Sequence, residues 1–571
     1  GMIRYFTICL CLLTYFTGLR GQDPVVSQAD LDAIFAPFDQ ADQPGVAVSL
    51  RYRGQVVYER AFGLANLETG EKLSPDTPMA LEQLSGQFTA FALLQLAAEG
   101  SLALTDPVNK HLPELANFGH QVTLLHLLAR THGFHDIGNV RVVQGARPGQ
   151  TIDIDRILGI LSRQRTPAFK PGTKFSDTPS DSGLWLMAEI VSRISGKPFA
   201  EFCAEKIFQP LGMKNSFFIT PNEDLPANTA IAYREGENGF TRALPNNHAP
   251  GPFGLYSSVA DWSRWQNHLA NPPSAFAAAM ARLDEVVTLD DGHPYHFTRG
   301  ELTLGQQYHH SERGVPEIYG MGGRGGYTSS VFRFEDHGFS VVVLGNNGMP
   351  YTGYLGMNST YLFLENDFPK PAVVTVAPED VYPLSGAELA SFAGHYWDAD
   401  GTLVRRVTYA RDTLFYNRGN TPQPLIPIGP RRFQLITGWD DELIITFPAG
   451  EDGTQRMEYA SPESDPYVFE KYLPIDSSEV AFPDYLGSYY CQDLSVGYDL
   501  SHTEGQLTLS NAYAKSISLT PRLLDRFYGD QVPWWNLEFT RNAQGEVLGF
   551  HLNIGGLRNA WFQRLEIGPG N

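Results

Sequence analysis

The chain has few cysteines. Cysteine occurs 4 times in 571 residues, and Cys9 and Cys11 lie in an N-terminal apolar segment. Cys203 and Cys491 are therefore the cysteines left in the body of the chain. A disulfide needs Cα atoms within about 7 Å of each other, and isolated cysteines are more often buried apolar fillers. We predict two free thiols, with a Cys203–Cys491 bridge as the alternative.

Positive charge is also scarce. The sequence has 42 Lys and Arg against 63 Asp and Glu, a net charge of −21. Proteins that bind nucleic acid neutralise phosphates with clustered basic residues, and the sequence contains no such run. This balance argues against a nucleic-acid partner. We interpret the acidity as a solubility feature, with a specific cationic partner as the alternative.

Long apolar runs are missing beyond the N-terminus. A membrane-spanning helix needs about 20 apolar residues, and no other segment reaches that length. Arg4, the apolar run 5–16 and the small residues of 18–21 follow the pattern of a secretory signal peptide. We predict a signal peptide over 1–21, no transmembrane span, and a mature chain that is secreted or held in the periplasm or cell envelope. An uncleaved anchor is the alternative.

The rest of the chain divides by pattern. Residues 22–370 mix helical and strand signals, which predicts an α/β (α+β) domain with an antiparallel sheet. A Pro-rich stretch over 371–385 is typical of a linker. Residues 386–475 and 476–571 each open with a similar aromatic phrase and continue in short alternating strands. Repeats of this kind predict two antiparallel β-barrels or sandwiches.

Local signals place several elements of the first domain. They predict strands at Val46–Tyr52, Val56–Gly63, Tyr327–Phe334 and Phe339–Leu344, and helices at Phe88–Glu99 and Trp185–Ile194.

Seven short segments typical of turns, helix caps and core strands lie in a characteristic order between residues 44 and 350. These segments are Pro44–Val48, Gly63–Asn66, Gly100–Val108, Pro171–Phe175, Ile207–Met213, Gly254–Ser258 and Val341–Asn346. Their order and spacing resemble the serine β-lactamase and penicillin-binding-protein family, in particular its class C β-lactamase and D-aminopeptidase-like branch. The resemblance implies a β-lactamase-like transpeptidase fold followed by two barrels, one of which can send a loop towards the active cleft.

The same resemblance implies three catalytic clusters, and all three are altered. The family helix begins Ser-x-x-Lys, and the matching positions are Gln83 and Gly86. The neighbouring Ser85 has Phe88, not lysine, three residues on.

The Tyr-x-Asn loop of the family aligns with Pro179 and Asp181, or with Asp177 at the tyrosine position if the alignment is anchored at Pro171. The Lys-Thr-Gly or His-x-Gly strand aligns with Met321-Gly322-Gly323.

We therefore expect no catalytic residue at these positions. Loss of the nucleophile alone costs a serine protease roughly a millionfold in rate. The backbone amides of Gln83 and Arg324 are predicted to remain as a donor pair, and Arg324 is a candidate for holding an anion. Gly86 either opens space for a ligand or another side chain, or reflects drift. The predicted ligand-binding residues are Gln83, Gly86, Asp181, Met321, Gly322, Gly323 and Arg324.

No cofactor or metal is predicted. The histidines of Leu124–Asp136, including His132, lack the spacing of a zinc site, and His309-His310 is interpreted as a solvated turn. The favoured function is a pseudo-hydrolase that binds a peptidoglycan-like or D-amino-acid peptide, or a protein partner. The alternatives are a hydrolase with replaced groups, such as Asp177 with Asp181, and a structural protein with a vestigial cleft.

Overall fold

The protein is described here from a computed structural model. It describes residues 26–566 except 116–117, 148, 177, 179–180, 245–246, 295, 298–299, 349–351, 370–371, 400, 420, 441, 451–452, 463, 530 and 532–534. The predicted signal peptide, Asp177 and Pro179 lie outside the described residues. No helix within the described part is both long and apolar enough to cross a membrane.

Helices surround a large sheet in the N-terminal part. They are α1 (Gln28–Phe35), α2 (Ser85–Ala98), α3 (Val108–His111), α4 (Leu124–Leu128), α5 (Ile137–Val143), α6 (Ile154–Arg163), α7 (Ser182–Ser195), α8 (Phe199–Cys203), α9 (Val259–Ala270), α10 (Ala277–Arg282) and α11 (Thr352–Phe363). A further helix, α12 (Gly386–Ser391), packs Leu389 into the core of the first of the two barrels that follow. A 3-10 turn, Glu82–Leu84, leads directly into α2, so these two segments form one continuous rod of helical turns.

The strands of this part are β1 (Val46–Tyr52), β2 (Gln55–Phe62), β3 (Leu64–Asn66), β4 (Glu71–Lys72), β5 (Met79–Ala80), β6 (Phe217–Phe218), β7 (Tyr233–Gly236), β8 (Gly239–Arg242), β9 (Leu255–Ser257), β10 (His296–Phe297), β11 (Gly300–Leu302), β12 (Tyr308–Glu312), β13 (Val315–Arg324), β14 (Tyr327–Phe334) and β15 (Phe339–Gly345). The main sheet has the order β10-β11-β12-β13-β14-β15-β1-β2 and is antiparallel.

The element predictions agree with this sheet. Strands β1 and β14 have the predicted bounds, and Arg53 and Gly54 turn the β1–β2 hairpin with φ of 47° and 79°. Helix α2 begins three residues before the predicted start, because apolar spacing does not register Ser85-Gly86-Gln87. The interpretation of His309-His310 as a turn is wrong, since both residues lie in β12.

Two closed barrels follow, which confirms the predicted class and decides for barrels over sandwiches. The first contains β16 (Gly394–Trp397), β17 (Val404–Ala410), β18 (Thr413–Asn417), β19 (Pro422–Gly429), β20 (Arg432–Leu435), β21 (Leu443–Thr446), β22 (Arg456–Ala460) and β23 (Tyr467–Tyr472). The second contains β24 (Gly487–Cys491), β25 (Val496–Thr503), β26 (Gln506–Ser510), β27 (Ile517–Leu523), β28 (Arg526–Gly529), β29 (Asn536–Arg541), β30 (Val547–Ile554) and β31 (Leu557–Arg564).

The two barrels join the N-terminal part differently. The apolar core of the second barrel is continuous with the core around α2 and α7, and the Tyr498 hydroxyl donates to the Val143 carbonyl at 2.6 Å. The first barrel has a core of its own. Cys203 and Cys491 are both buried and free, which confirms the prediction of two thiols and excludes the bridge.

Candidate functional site

Gln83 lies where the turn before α2 meets the end of β13. Its Oε1 accepts a hydrogen bond of 2.8 Å from the Gly323 N–H. Because a backbone N–H requires an acceptor, this contact assigns the oxygen to the β13 side and leaves the carboxamide NH₂ to donate elsewhere. Gln83 is half-buried. We call the turn Glu82–Leu84, the start of α2 and residues Gly320–Arg324 the helix–strand corner.

Strand β13 lies directly against this turn. A Cβ added to Gly320 would lie 2.6 Å from Leu84 Cδ2, and one added to Gly322 would lie 2.5 Å from the Leu81 carbonyl oxygen. Gly322 is thus required by a close approach of two backbones, and Gly320 by the packing of the Leu84 side chain against the strand. The donor pair formed by the backbone amides of Gln83 and Arg324 stays a prediction; the contact in the structure joins the Gln83 side chain to the Gly323 amide.

Met321 points away from Gln83. Strand alternation puts Gly320 and Gly322 on the face towards α2 and Met321 on the other. The Met321 side chain is 50% exposed, and its Cε lies 3.0 Å from where a Cβ on Gly353 of α11 would be. In this position the thioether does not take part in the corner.

The space beside Gly86 is filled by the chain itself. A Cβ on Gly86 would lie 3.1 Å from Leu184 Cδ1 and 3.6 Å from the Gln306 side chain. Gln306 is fixed in place, since its Oε1 accepts from Arg130 Nε at 2.8 Å and its Nε2 donates to the Leu128 carbonyl at 2.8 Å. This packing supports the hypothesis that Gly86 makes room for another side chain.

Backbone strain is concentrated here. Glu82, Arg130 and Gln306 have φ of 52°, 57° and 61°, in the left-handed region that costs a non-glycine residue roughly 1 kcal/mol or more. Strained residues persist where the surrounding structure holds them, and they are frequent at functional sites. Sequence reasoning missed all three, although Glu82 is the single acidic residue in the apolar run Met79–Leu84.

Glu82 is the unusual ionisable group of the corner. Burial raises the pKa of its carboxyl to about 8, although the nearby Arg324 charge opposes the shift. Arg324 is half-buried and stacks its guanidinium on Phe253 at 4.8 Å from the ring centroid. Within the described part of the chain, Arg324 has no carboxylate within ion-pair distance. The corner therefore presents a carboxamide, a carboxyl and a guanidinium.

The Asp181 side chain is buried and makes its contacts inside the protein. Its carboxylate lies 3.0 Å from His132 Nε2 and accepts from the Gly183 N–H at 2.9 Å, which caps α7. Burial alone would raise the pKa of Asp181, but His132, the Arg130 charge and the Gly183 amide together lower it. Since Phe134 N–H donates to His132 Nδ1, the proton of that neutral ring is on Nε2. This pair orients the loop and the helix, and it is 1% exposed.

Ser85 is not an alternative nucleophile in this arrangement. It is fully buried, and its Oγ accepts a hydrogen bond from the Leu255 N–H at 3.1 Å. The adjacent lysine that would activate a serine is absent from its helix.

The second barrel reaches the rim of this region. The turn Gly555-Gly556 joins β30 to β31, and Gly556 N–H donates to Asn139 Oδ1 at 2.8 Å. A Cβ on Gly556 would lie 2.5 Å from Thr178 Cγ2. The Thr178 carbonyl in turn accepts from Arg130 Nη1 at 3.4 Å, so contacts run from the barrel turn to Gln306 beside Gly86.

One group in the described residues has the spacing of a metal site. Ligand atoms of His310, Glu312 and Glu317 lie within 4.8 Å of one another. His310 Nδ1 contacts Glu317 Oε1 at 2.9 Å, and Tyr361 donates to Glu312. Glu317 lies six residues before Gly323, about 20 Å away along the strand, so this group belongs to no part of the corner.

The antiparallel sheet and the helices packed around it form a mixed α/β scaffold. A family model described as Beta-lactamase matches residues 31–360, more than half of the chain. The chain belongs to the β-lactamase family.

Relatives and structures agree with that family. The chain is 28% identical over 251 residues to D-aminopeptidases from Gluconobacter oxydans and Brucella anthropi, covering 44% of this chain and 47% of each relative. The match thus spans about half the length of these curated relatives. The octameric penicillin-binding protein homologue from Pyrococcus abyssi superimposes with a TM-score of 0.51 and 21% identity, over 78% of this chain and 99% of that one, which shows the fold.

Proposed function

We propose that the protein is a non-hydrolytic member of the β-lactamase family that binds a peptide-like ligand at the helix–strand corner. The ligand class is a peptidoglycan-like or D-amino-acid peptide, or a segment of a protein partner. The observation that carries the proposal is the Gln83–Gly323 hydrogen bond. It places a fixed amide donor at the position that the family resemblance assigns to the attacking serine.

The lysine position supports the same conclusion. Side chains of Leu184 and Gln306 occupy the space beside Gly86, so no amine reaches the turn to accept a proton. A carboxamide is not a nucleophile, and an unactivated site retains only binding. Gln83 and Arg324 supply donors that suit a carbonyl and a carboxylate. Gly322 and Gly323 take part through their backbone.

We assign no ligand role to Asp181 or Met321, because one is buried against His132 and the other faces α11. The N-terminal signal pattern supports action outside the cytoplasm, and no cofactor enters the proposal.

A second candidate function rests on Glu82. A half-buried carboxyl with a raised pKa next to the former nucleophile position is a candidate general acid or base. In that case the protein is a hydrolase of esters or amides that activates water through Glu82. The D-aminopeptidase relatives favour an amide-type substrate.

The test separates the two candidates. Purified protein is incubated with a fluorescent penicillin and with a chromogenic ester, and an acyl-D-Ala-D-Ala peptide is titrated by calorimetry. The proposal expects no covalent label, no turnover, and peptide binding that weakens about tenfold in Gln83→Ala, the loss of one good hydrogen bond. Exposed Glu379→Gln is the control for unrelated surface changes.

Other outcomes contradict the proposal. Turnover that survives in Gln83→Ala but disappears in Glu82→Gln would establish the hydrolase. Peptide binding unaffected by Gln83→Ala would place the ligand elsewhere. A constructive variant, Gln83→Ser with Gly86→Lys and Leu184→Ala, should acquire penicillin labelling only when Leu184 is shortened, because Leu184 occupies the space a lysine needs.

A further inference from the structure

A large cavity lies between the two barrels, far from the chemistry discussed above. Its volume is about 800 Å³. The first barrel contributes Arg405, Arg406 and Arg418 to its wall, and the second contributes Arg522. No Asp or Glu occurs among the described residues that line it. The chain has a net charge of −21, so the four guanidinium groups give this cavity a local charge opposite in sign to that of the whole protein. We call this space the arginine cavity.

Arg522 is the buried centre of the wall. It is 6% exposed, and its Nη1 donates to the Gly401 carbonyl at 2.8 Å. The guanidinium lies 4.5 Å from the centroid of the Tyr528 ring. Its Nε is buried without a hydrogen-bond partner. An unpartnered donor on a buried cation is costly, so Arg522 is held in place by its other contacts.

No carboxylate in the described residues neutralises these arginines. Asp398 lies near Arg522, but its two oxygens accept from Thr402 Oγ1 at 2.9 Å and from Leu403 N–H at 2.8 Å. Arg405 Nε donates to the Tyr416 hydroxyl, a neutral partner, at 2.7 Å. Arg406 and Arg418 are exposed at the mouth. The charge of Asp398 favours the charged form of Arg522, but one nearby carboxylate stands against four arginines, so the cavity keeps an excess of positive charge.

The charges of Arg406 and Arg522 act together on His395, which lies on the same cavity wall. Burial lowers the pKa of this histidine, and the charges of Arg406 and Arg522 lower it further. Protonation of the imidazole is thus disfavoured, and the ring remains a neutral hydrogen-bonding group on the cavity wall. Tyr472 lies on the same wall, which adds an aromatic surface beside the guanidinium groups.

We propose that the arginine cavity binds a small molecule bearing an oxyanion, either a phosphate or a carboxylate. The planar guanidinium fork matches both groups in two-point hydrogen bonding. The volume lies within the range of small-molecule sites, about 300–1,000 Å³. A long polyanion does not suit the protein, because the net charge of −21 on the chain would repel it.

The experiment uses the full chain and two probes. Pyrophosphate and citrate are titrated separately by calorimetry, with thermal unfolding as a second readout. At least one probe should bind with a dissociation constant below about 1 mM, a value expected to rise with salt. The two probes distinguish a phosphate from a carboxylate ligand.

Variants locate the binding. The double variant Arg406→Ala, Arg418→Ala should weaken binding at least tenfold, and Arg522→Met should abolish it. Exposed Arg432→Ala, which removes one charge from the same barrel outside the cavity wall, should leave affinity within twofold. If Arg522→Met does not fold, the mouth variants still decide the question. Absence of binding by both probes, or equal loss in Arg432→Ala and in the mouth variants, overturns the proposal.

Discussion

The helix–strand corner and the arginine cavity differ in almost every physical respect. At the corner, the Leu81 carbonyl leaves no room for a Cβ on Gly322, and the Leu84 side chain leaves none on Gly320. Leu184 and Gln306 fill the space beside Gly86. The cavity between the barrels is open, holds about 800 Å³, and is lined by arginines. The lysine position of the family, beside Gly86, is thus filled by the chain's own side chains, whereas the cavity between the barrels keeps open space lined by charge.

The comparison shows that a scaffold can keep its packing while its reactive groups change. The glycines of β13 and the His132–Asp181 pair are held by backbone and buried contacts, so their substitution acts on folding. The arginines of the cavity have neutral partners or none in the described residues, so their substitution acts on binding. The variants that follow are ordered from the largest expected change in stability to the smallest.

Gly322→Ala should destabilise the protein by about 3 kcal/mol, at the upper end of overpacking costs. The new Cβ would lie 2.5 Å from the Leu81 carbonyl and 3.0 Å from Gln83 N, and neither backbone atom can move without displacing the turn before α2. Denaturant unfolding measures the change. The matched control is Gly323→Ala, whose Cβ finds its nearest neighbour at 3.8 Å; equal losses in the two variants would show that the corner is not closely packed.

Glu82→Gln should change the dependence of stability on pH. The folded carboxyl titrates near pH 8 and the unfolded one near 4.5, so between these values the folded state holds a proton that the unfolded state has lost. Raising the pH through this window therefore destabilises the wild type. Because Glu82 is half-buried and partly screened, we expect the variant to be about 1 kcal/mol more stable than wild type at pH 8 and equal to it at pH 4.

Melting temperatures from pH 4 to 8 measure this difference. Exposed Glu379→Gln should show none. A constant offset between Glu82→Gln and wild type at all pH values would show that the folded protein leaves the pKa of this carboxyl at its unfolded value, and would remove Glu82 as a candidate acid.

Arg406→Ala should change stability by less than about 0.5 kcal/mol, as is usual for exposed side chains without strong partners. Thermal unfolding without ligand measures it. A loss above 1 kcal/mol would show that the cavity arginines hold the barrels together, and the contrast with the corner would then fail.

Much of the fold could be predicted because local signals and packing agree. The aromatic and β-branched residues of β14 and the turn pair Arg53-Gly54 specify strand and hairpin without reference to the rest of the chain. The two barrels could be predicted because residues 386–475 and 476–571 begin with a similar aromatic segment and continue in short alternating strands. Their closure could not be derived from sequence, since pairing of β16 with β23 and of β24 with β31 joins strands about 75 residues apart along the chain.

The corner was predicted in part. Gln83 and Gly86 stand out because the family pattern marks their positions, and both lie at the start of the helical rod. Met321 was predicted as a ligand-binding residue from the family pattern, but its side chain lies near Gly353 of α11; in a glycine-rich strand the sequence carries no alternation that fixes which face a side chain takes. Arg130 and Gln306 were missed because they are 176 residues apart and meet only through tertiary packing. Glu82 was missed because its pKa depends on burial.

The continuous core that joins α2 and α7 to the second barrel makes those two parts one cooperative unit. The first barrel has its own interior and contacts the N-terminal part through polar pairs such as Arg313 with Asp440 and His293 with Asp465. Deleting the second barrel would expose apolar core surface of the N-terminal part to water. The first barrel shares no apolar core with that part, so its removal would expose less apolar surface there. Insertions and exchanges over evolution should therefore accumulate in the first barrel, because changes there do not disturb the apolar core shared by the other two parts.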